Sequence, residues 1–401
     1  MHKEKEKGSF MIIKNVKIFT EEKRFINGSI VISGEKIVEV YEGQKNFVEK
    51  GQDVIDGNGA YAIPGLIDIH FHGCKGYDFC DGTKEAIEEI AKYEASVGVT
   101  AIAPATMTLP VEKLEQILSV AASYQKEEHK GADFIGINME GPFISPSKKG
   151  AQDDKYILPC NISIAKRFVE VSEHLVKFIG VAPEESEEAI AFIQEMKQHV
   201  TIALAHTNAS YECAKEAFLA GANHVVHLYN GMPSYMHRAP GVVGAVADAT
   251  HVTVEIICDG VHIHPATVRG TFQMMGEERM ILISDSMRAT GMPNGRYSLG
   301  GLEVEVTGNR ATLVSNGALA GSVTNLMDCM RIAVKEMNIP LETAVACVTI
   351  NPAKALGVYE KYGSITSGKK ANIVLLNKEL ELKNVILKGK KLEDTYRCMN
   401  K

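Results

Sequence analysis

The sequence predicts an α/β protein: a (β/α)8 TIM barrel joined to a small β-sandwich domain formed from both termini. Three observations carry this reading. From Leu66 onward, short apolar runs alternate with helical stretches. Both ends of the chain read as β throughout. Nearly every apolar run in the middle section ends on a histidine, an aspartate or a glutamate.

The elements follow in order. MIIKNVKIFT, then INGSIVISGEKIVEVYEG with a turn at Ser33 to Lys36, then DVIDGNGAYAIPG read as strands separated by glycine and asparagine breakers. After LIDIHFHG the texture changes. TKEAIEEIAKYEASVG is helical and VTAIAPAT strand-like; VEKLEQILSVAASYQKEEHK is helical and FIGINMEG strand-like. LVKFIGVAPE, VTIALAHT, NHVVHLYN, HVTVEIICDG and RMILISDS complete a set of eight strands. Strand and helix alternation implies parallel pairing through right-handed crossovers, and eight such strands close a barrel. Helices continue through TNLMDCMRIAVKEM, LETAVACVTI and NPAKALGV, after which GSITSGKKANIVLLN and ELKNVILKGKKL return to β. The predicted division is residues 1–62 and 360–401 for the small β domain and 63–359 for the barrel.

Composition narrows the function class. The 401 residues are 45% hydrophobic and 23% charged, ordinary values for a globular protein. A net charge of −7 without a basic stripe argues against a nucleic-acid surface. No run approaches the roughly eighteen apolar residues of a membrane span, and MHKEKEKGSF leads into a strand instead of a signal-peptide core, so the reading is cytoplasmic. The eight cysteines (74, 80, 160, 213, 258, 329, 347, 398) form no CxxC pair and are expected to be free thiols.

The strand ends supply the chemistry. Side chains alternate along a strand, so His70 and His72 are expected on one face, with Ile69 and Phe71 on the other. Glu140 ends FIGINMEG, His206 ends VTIALAHT, His227 lies in NHVVHLYN, Asp259 ends HVTVEIICDG with His262 after it, and Asp285 ends RMILISDS. Barrel enzymes build their sites at the C-terminal ends of the strands, so these groups are expected to converge. Imidazoles with a carboxylate suit zinc, iron or manganese. Glu140, His206 and His227 would hold a divalent ion with a position left open, the mark of a catalytic metal. His70 and His72 would bind the same ion or a second one. His2, His129, His174, His199 and His251 sit in polar or helical surroundings and are set aside.

These residues resemble the amidohydrolase superfamily: PGLIDIHFHG, a metal-binding carboxylate, two later single histidines and an aspartate on the last strand. MEGPFISPSKKGA, LAHTNAS, HLYNGM, APGVVG, CDGVHI, SDSMRATGMPNGRYSLGG and NGALAGS are similar, in order, to the N-acetylglucosamine-6-phosphate deacetylase family within it. The resemblance implies metal-dependent hydrolysis of an acetamide, with Asp285 as general base and acid. It also implies substrate contacts from Asn230, Gly231 and His262, from Leu319, Ala320 and Gly321, and from Ala151 and Gln152. Arg238 is implied to reach the phosphate in a neighbouring subunit, which makes the expected assembly a homodimer. The chain departs from the family pattern at KKGAQ, where many relatives read KKGAH. Gln152 can donate a neutral hydrogen bond to the substrate carbonyl but cannot become cationic.

The competing readings are a deacetylase of the galactosamine epimer, another amidohydrolase such as a cyclic amidase, and a non-catalytic barrel scaffold. Many cyclic amidases place a carboxylated lysine where this chain has Glu140. A scaffold predicts gaps in the ligand and acid/base set, and the sequence departs only at Gln152.

Overall fold

A computed structural model of the chain describes residues 10–43, 45, 47 and 52–393. His2 and Cys398 lie outside the described residues, as do most of MHKEKEKGSF and the outer limits of the predicted terminal domain. From Leu66 onward the chain builds a curled parallel sheet. Leu66–Asp68 pairs with Val99–Ile102, which pairs with Asp133–Phe134. Ala105–Thr106 pairs with Ile137–Phe143, and the series runs on through Val176–Val181, Thr201–Leu204, His224–Val225 and Thr253–Ile257 to Met280–Ile283. Pro104 lacks an N–H and breaks the second strand's ladder, so VTAIAPAT forms two short pieces. Beyond the regular ladders, the Asp285 N–H donates to His70 O at 2.9 Å and the His72 N–H to Ser286 O at 2.7 Å, linking the first run to the last.

Alternate residues of these strands face two cores. Ile67, Ala101, Phe178, Ile257, Ile281 and Ile283 pack together inside the curl. Leu66, Val99, Ile102, Ile179, Ile256 and Leu282 pack outward against the helices. Strands buried on both faces read as continuous apolar runs, as parallel strands do. The helices start at side-chain caps that satisfy otherwise orphaned N–H groups: Thr83 accepts from Ala86 N–H ahead of Lys84–Ser96, and Ser210 from Cys213 N–H ahead of Tyr211–Ala220. The helix expected over VEKLEQILSVAASYQKEEHK stops at Gln125, because the charged tail that follows has no apolar stripe to bury.

The strands from both ends of the chain form one hydrogen-bonded sheet of seven, containing Phe10–Phe19, Phe25–Ser33, Lys36–Glu42 and Asp53–Pro64 with Ile373–Leu376, Leu382–Leu387 and Lys390–Lys391. It curls over its own core, in which Ile13, Ile18, Ile32, Ile37, Ile373 and Ile386 meet. The Ile37 N–H donates to Lys369 O at 3.0 Å and the Gly368 N–H to Ile37 O at 2.8 Å, bringing an edge strand onto the segment that leads into Ile373. The expected sandwich is thus a single curled sheet. Buried Asp133 ties it to the parallel sheet by accepting from Lys370, Asn372 and Tyr362.

A three-stranded antiparallel sheet, Gly295–Leu299, Leu302–Thr307 and Arg310–Leu313, follows the last parallel strand and was not anticipated. Among the described residues no helix is long and apolar enough to cross a membrane.

Candidate metal centre

Regular strand geometry ends at Asp68, two residues before the first histidine of LIDIHFHG. The expected alternation therefore fails beyond it. Ile69 enters the inner core and Phe71 the outer one, yet His70 and His72 both still reach Glu140. Asp68 makes the turn possible: its carboxylate accepts from the His70 N–H at 3.2 Å and from Ser284 Oγ at 2.6 Å. Burial pushes that carboxyl up to about 7, against the hydrogen bonds of Ser284 and His70.

Glu140 is the hub. His206 Nε2 and His227 Nε2 lie 2.9 and 2.8 Å from its Oε1 and 3.2 Å from each other. His70 Nε2 lies 3.4 Å from Oε1, and His72 Nε2 3.3 Å from Oε2 and 3.4 Å from Asp285 Oδ1. Two ligand groups result, one of Glu140, His206 and His227 and one of His70, His72 and Glu140. All five of these side chains are buried.

Three features of the donor set fit a metal ion. Tetrahedral zinc with bonds near 2.0–2.1 Å spaces its ligand atoms by about 3.3 Å, close to the 3.2 Å between His206 Nε2 and His227 Nε2. Carbonyl oxygens of Lys148 and Asn230 lie 2.7 and 3.1 Å from Nδ1 of His206 and His227, so each ring presents Nε2 to Glu140. His70 Nε2 is fully buried without a hydrogen-bond partner, an orphan that a cation would satisfy.

The backbone is bent to make this convergence. His206, His227 and Asp285 have φ of 44°, 27° and 49°, a left-handed conformation that costs each about 1–2 kcal/mol. Such turns end the ladders early, which is why NHVVHLYN contributes only His224–Val225 as strand. Gly231 shares the conformation at φ 61°, and a Cβ there would stand 2.8 Å from His206 Nδ1, so no larger residue fits.

The charges are strongly coupled. Burial alone would raise the Glu140 carboxyl, but the charges and hydrogen bonds of His206, His70 and His227 outweigh it and hold it well below the usual range. Burial likewise opposes ionisation of Asp285, whereas the His72 hydrogen bond and the charges of His70 and His72 keep its carboxyl below the ordinary value. Against burial, Asp285 and Glu140 hold the His72 imidazole up to about 10.

A cavity of about 210 Å³ opens over this cluster. His72, Glu140, His206, His227 and Asp285 form its floor; Ala151, Gln152, Asn230, Gly231 and His262 line its sides, and Leu319 and Gly321 line it too. Met107, Gly150 and Leu299 join them without having been anticipated. Of the residues singled out in the sequence, His70 lies fully buried behind the floor, Ala320 is buried outside the lining, and Arg238 stands exposed outside the cavity. Gln152 accepts at Oε1 from the Thr108 N–H at 2.6 Å and donates from Nε2 to Glu140 Oε2 at 2.7 Å. Asp259 lies outside the lining; its Oδ2 is 2.7 Å from His262 Nδ1, and against burial it raises the His262 pKa. The seven described cysteines are free, and neither Cys74 nor Cys80 belongs to a ligand group.

Sequence reasoning missed Glu255 and His224, both fully buried and hydrogen-bonded to each other at 2.8 Å. The signal was present: a lone carboxylate in the apolar run TVEII, and a second histidine three residues before His227.

The model of the Amidohydrolase family matches residues 61–392. N-acetylglucosamine-6-phosphate deacetylase of Vibrio furnissii is 34% identical, over 89% of this chain and 88% of its own length. N-acetylgalactosamine-6-phosphate deacetylase of Escherichia coli O157:H7 is also 34% identical, over 81% and 86%. Among solved structures, a mutant N-acetyl-D-glucosamine-6-phosphate deacetylase from Mycobacterium smegmatis in complex with N-acetyl-D-glucosamine-6-phosphate aligns with a TM-score of 0.88 at 29% identity, covering 96% of this chain and 99% of that one.

Proposed function

This chain belongs to the amidohydrolase family, and from that premise we propose that it hydrolyses the acetamide of N-acetylglucosamine-6-phosphate to glucosamine-6-phosphate and acetate. The observation that carries the proposal is the mutual approach of Glu140 Oε1, His206 Nε2 and His227 Nε2 within 3.2 Å at the floor of a sugar-sized cavity.

Glu140, His206 and His227 would hold the principal divalent ion, and His70 and His72 with Glu140 a second. Zinc, iron and manganese all suit this donor set. A bound cation supplies Lewis acidity, lowering the pKa of water to about 7 and polarising the scissile carbonyl.

The other roles fall to the chain's own side chains. Asp285 is held ionised at the cavity floor, so it is the group to take a proton from water and return it to the departing amine. The Gln152 amide cannot flip without setting its donors against the Thr108 N–H, so it presents N–H groups; one serves Glu140 and the second is left for the substrate carbonyl. Asn230, Gly231 and His262 would receive the sugar phosphate, and Ala151, Leu319 and Gly321, which line the same cavity, would add further substrate contacts. The cavity lining contains neither lysine nor arginine among the described residues. A dianionic phosphate therefore needs a cation from elsewhere, and Arg238, exposed outside the cavity, would supply it to the neighbouring site of a homodimer.

We read the curled parallel sheet as a closed eight-stranded barrel, supported by the hydrogen bonds from Asp285 to His70 and from His72 to Ser286. Residues 63–359 would form that barrel, and residues 1–62 and 360–401 the β unit beside it. The galactosamine epimer is a second reading, favoured by a relative of that activity at the same 34% identity. Acetate release from both 6-phosphorylated acetylamino sugars, with elemental analysis of the same preparation, tests the proposal. Turnover of the glucosamine epimer by metal-loaded protein is expected; inert, metal-free protein would return the scaffold reading.

A further inference from the structure

The Thr253–Ile257 strand carries Glu255 among Val254, Ile256 and Ile257, all fully buried. A carboxylate in such surroundings is costly unless its lone pairs are all engaged. Here they are. Oε2 lies 2.8 Å from His70 Nδ1 and accepts from the His227 backbone N–H at 3.2 Å; Oε1 lies 2.8 Å from His224 Nε2 and 3.5 Å from Asn138 Nδ2.

These partners belong to the runs that supply the ligands. His70 is itself a ligand candidate. Asn138 lies two residues before Glu140 and also donates to Ile69 O at 3.0 Å. The His227 N–H belongs to a residue with φ of 27°, which must be held in place by its surroundings. Glu255 is absent from the cavity lining, so it touches neither substrate nor the reacting atoms.

We propose that Glu255 is a positioning residue that fixes His70 with its proton on Nδ1, leaving Nε2 as the metal-binding lone pair, and anchors the turn that aims His227. An ionised carboxylate is acceptor-only, so the nitrogen facing it must carry the hydrogen. Nε2 is then the nitrogen left to offer a lone pair to a bound cation; it faces Glu140 at 3.4 Å without a hydrogen-bond partner. Carboxylates behind a ligating histidine set its tautomer and raise its basicity, and losing one typically weakens metal binding by about 10- to 100-fold.

The proposal rests on the metal site assigned above, and the test separates the two. Zinc affinity and stoichiometry are measured by competition with a chromogenic chelator in the wild-type protein and in Glu255→Gln, with circular dichroism on both. A folded Glu255→Gln that binds zinc about 10- to 100-fold more weakly is expected. Zinc binding equal to wild type in that variant would overturn the role of Glu255 alone; wild-type protein that binds no zinc would overturn the site itself. If the variant does not fold, nitrogen-15 histidine spectra of zinc-loaded wild-type protein decide the matter. A His70 signal protonated at Nδ1, identified by its loss in His70→Asn, is expected, and a His70 protonated at Nε2 would overturn the assignment.

Discussion

Gln152 Nε2 donates to Glu140 Oε2 at 2.7 Å, so the residue that departs from the family pattern contacts the carboxylate shared by both ligand groups. Its orientation is set from behind by the Thr108 N–H. Gln152→Ala removes a donor from the carbonyl and a restraint from Glu140. We expect kcat to fall by about 10²–10³, the usual cost of one lost oxyanion donor, with protein fold retained. Steady-state kinetics with circular dichroism checks this, and an unchanged kcat would remove Gln152 from the mechanism.

Asp285→Asn keeps the shape of the side chain and removes its ability to accept a proton. Turnover is expected to drop by about 10²–10⁴, while metal content stays near that of wild type. Elemental analysis and acetate release on the same sample give both quantities. Near-normal turnover would end the proton-shuttle role.

Arg238 stands exposed outside the cavity, whereas the lining offers no arginine or lysine. Arg238→Ala is expected to raise KM for the 6-phosphorylated sugar by at least about tenfold and to leave cleavage of the non-phosphorylated analogue nearly unaltered. Equal effects on both substrates would count against phosphate recognition.

Metal loading is expected to release protons. The metal-free cluster holds His72 up to about 10, through Asp285 and Glu140 acting against burial, so at neutral pH that imidazole carries a proton that a cation must displace. Affinity should therefore weaken as pH falls, by about tenfold per unit for each proton displaced. Chelator competition between about pH 6 and pH 8 measures the slope, and a flat profile would show that no proton leaves.

Much of this architecture is written locally in the chain. Alternating apolar runs and capped helices are read from neighbouring residues, which is why the parallel series from Leu66 to Ile283 and the β texture of both ends were legible. The hairpin strands Gly295–Leu299, Leu302–Thr307 and Arg310–Leu313 were equally local, since LEVEVT alternates between glycine turns. The residue types at the strand ends were likewise visible: Glu140, His206, His227 and Asp285 stand out because a polar group at the end of a buried run is expensive without a partner. Tertiary structure alone decided which partner each received. That Glu255 meets His70 and that backbone reversals at His206 and His227 bring two rings to one oxygen depend on contacts between strands far apart in sequence, and that Gln152 meets Glu140 depends on how the loop after Ile137–Phe143 folds back over the site. A hydrogen bond constrains atoms in space, and residue spacing along the chain does not encode which side chains of neighbouring strands meet.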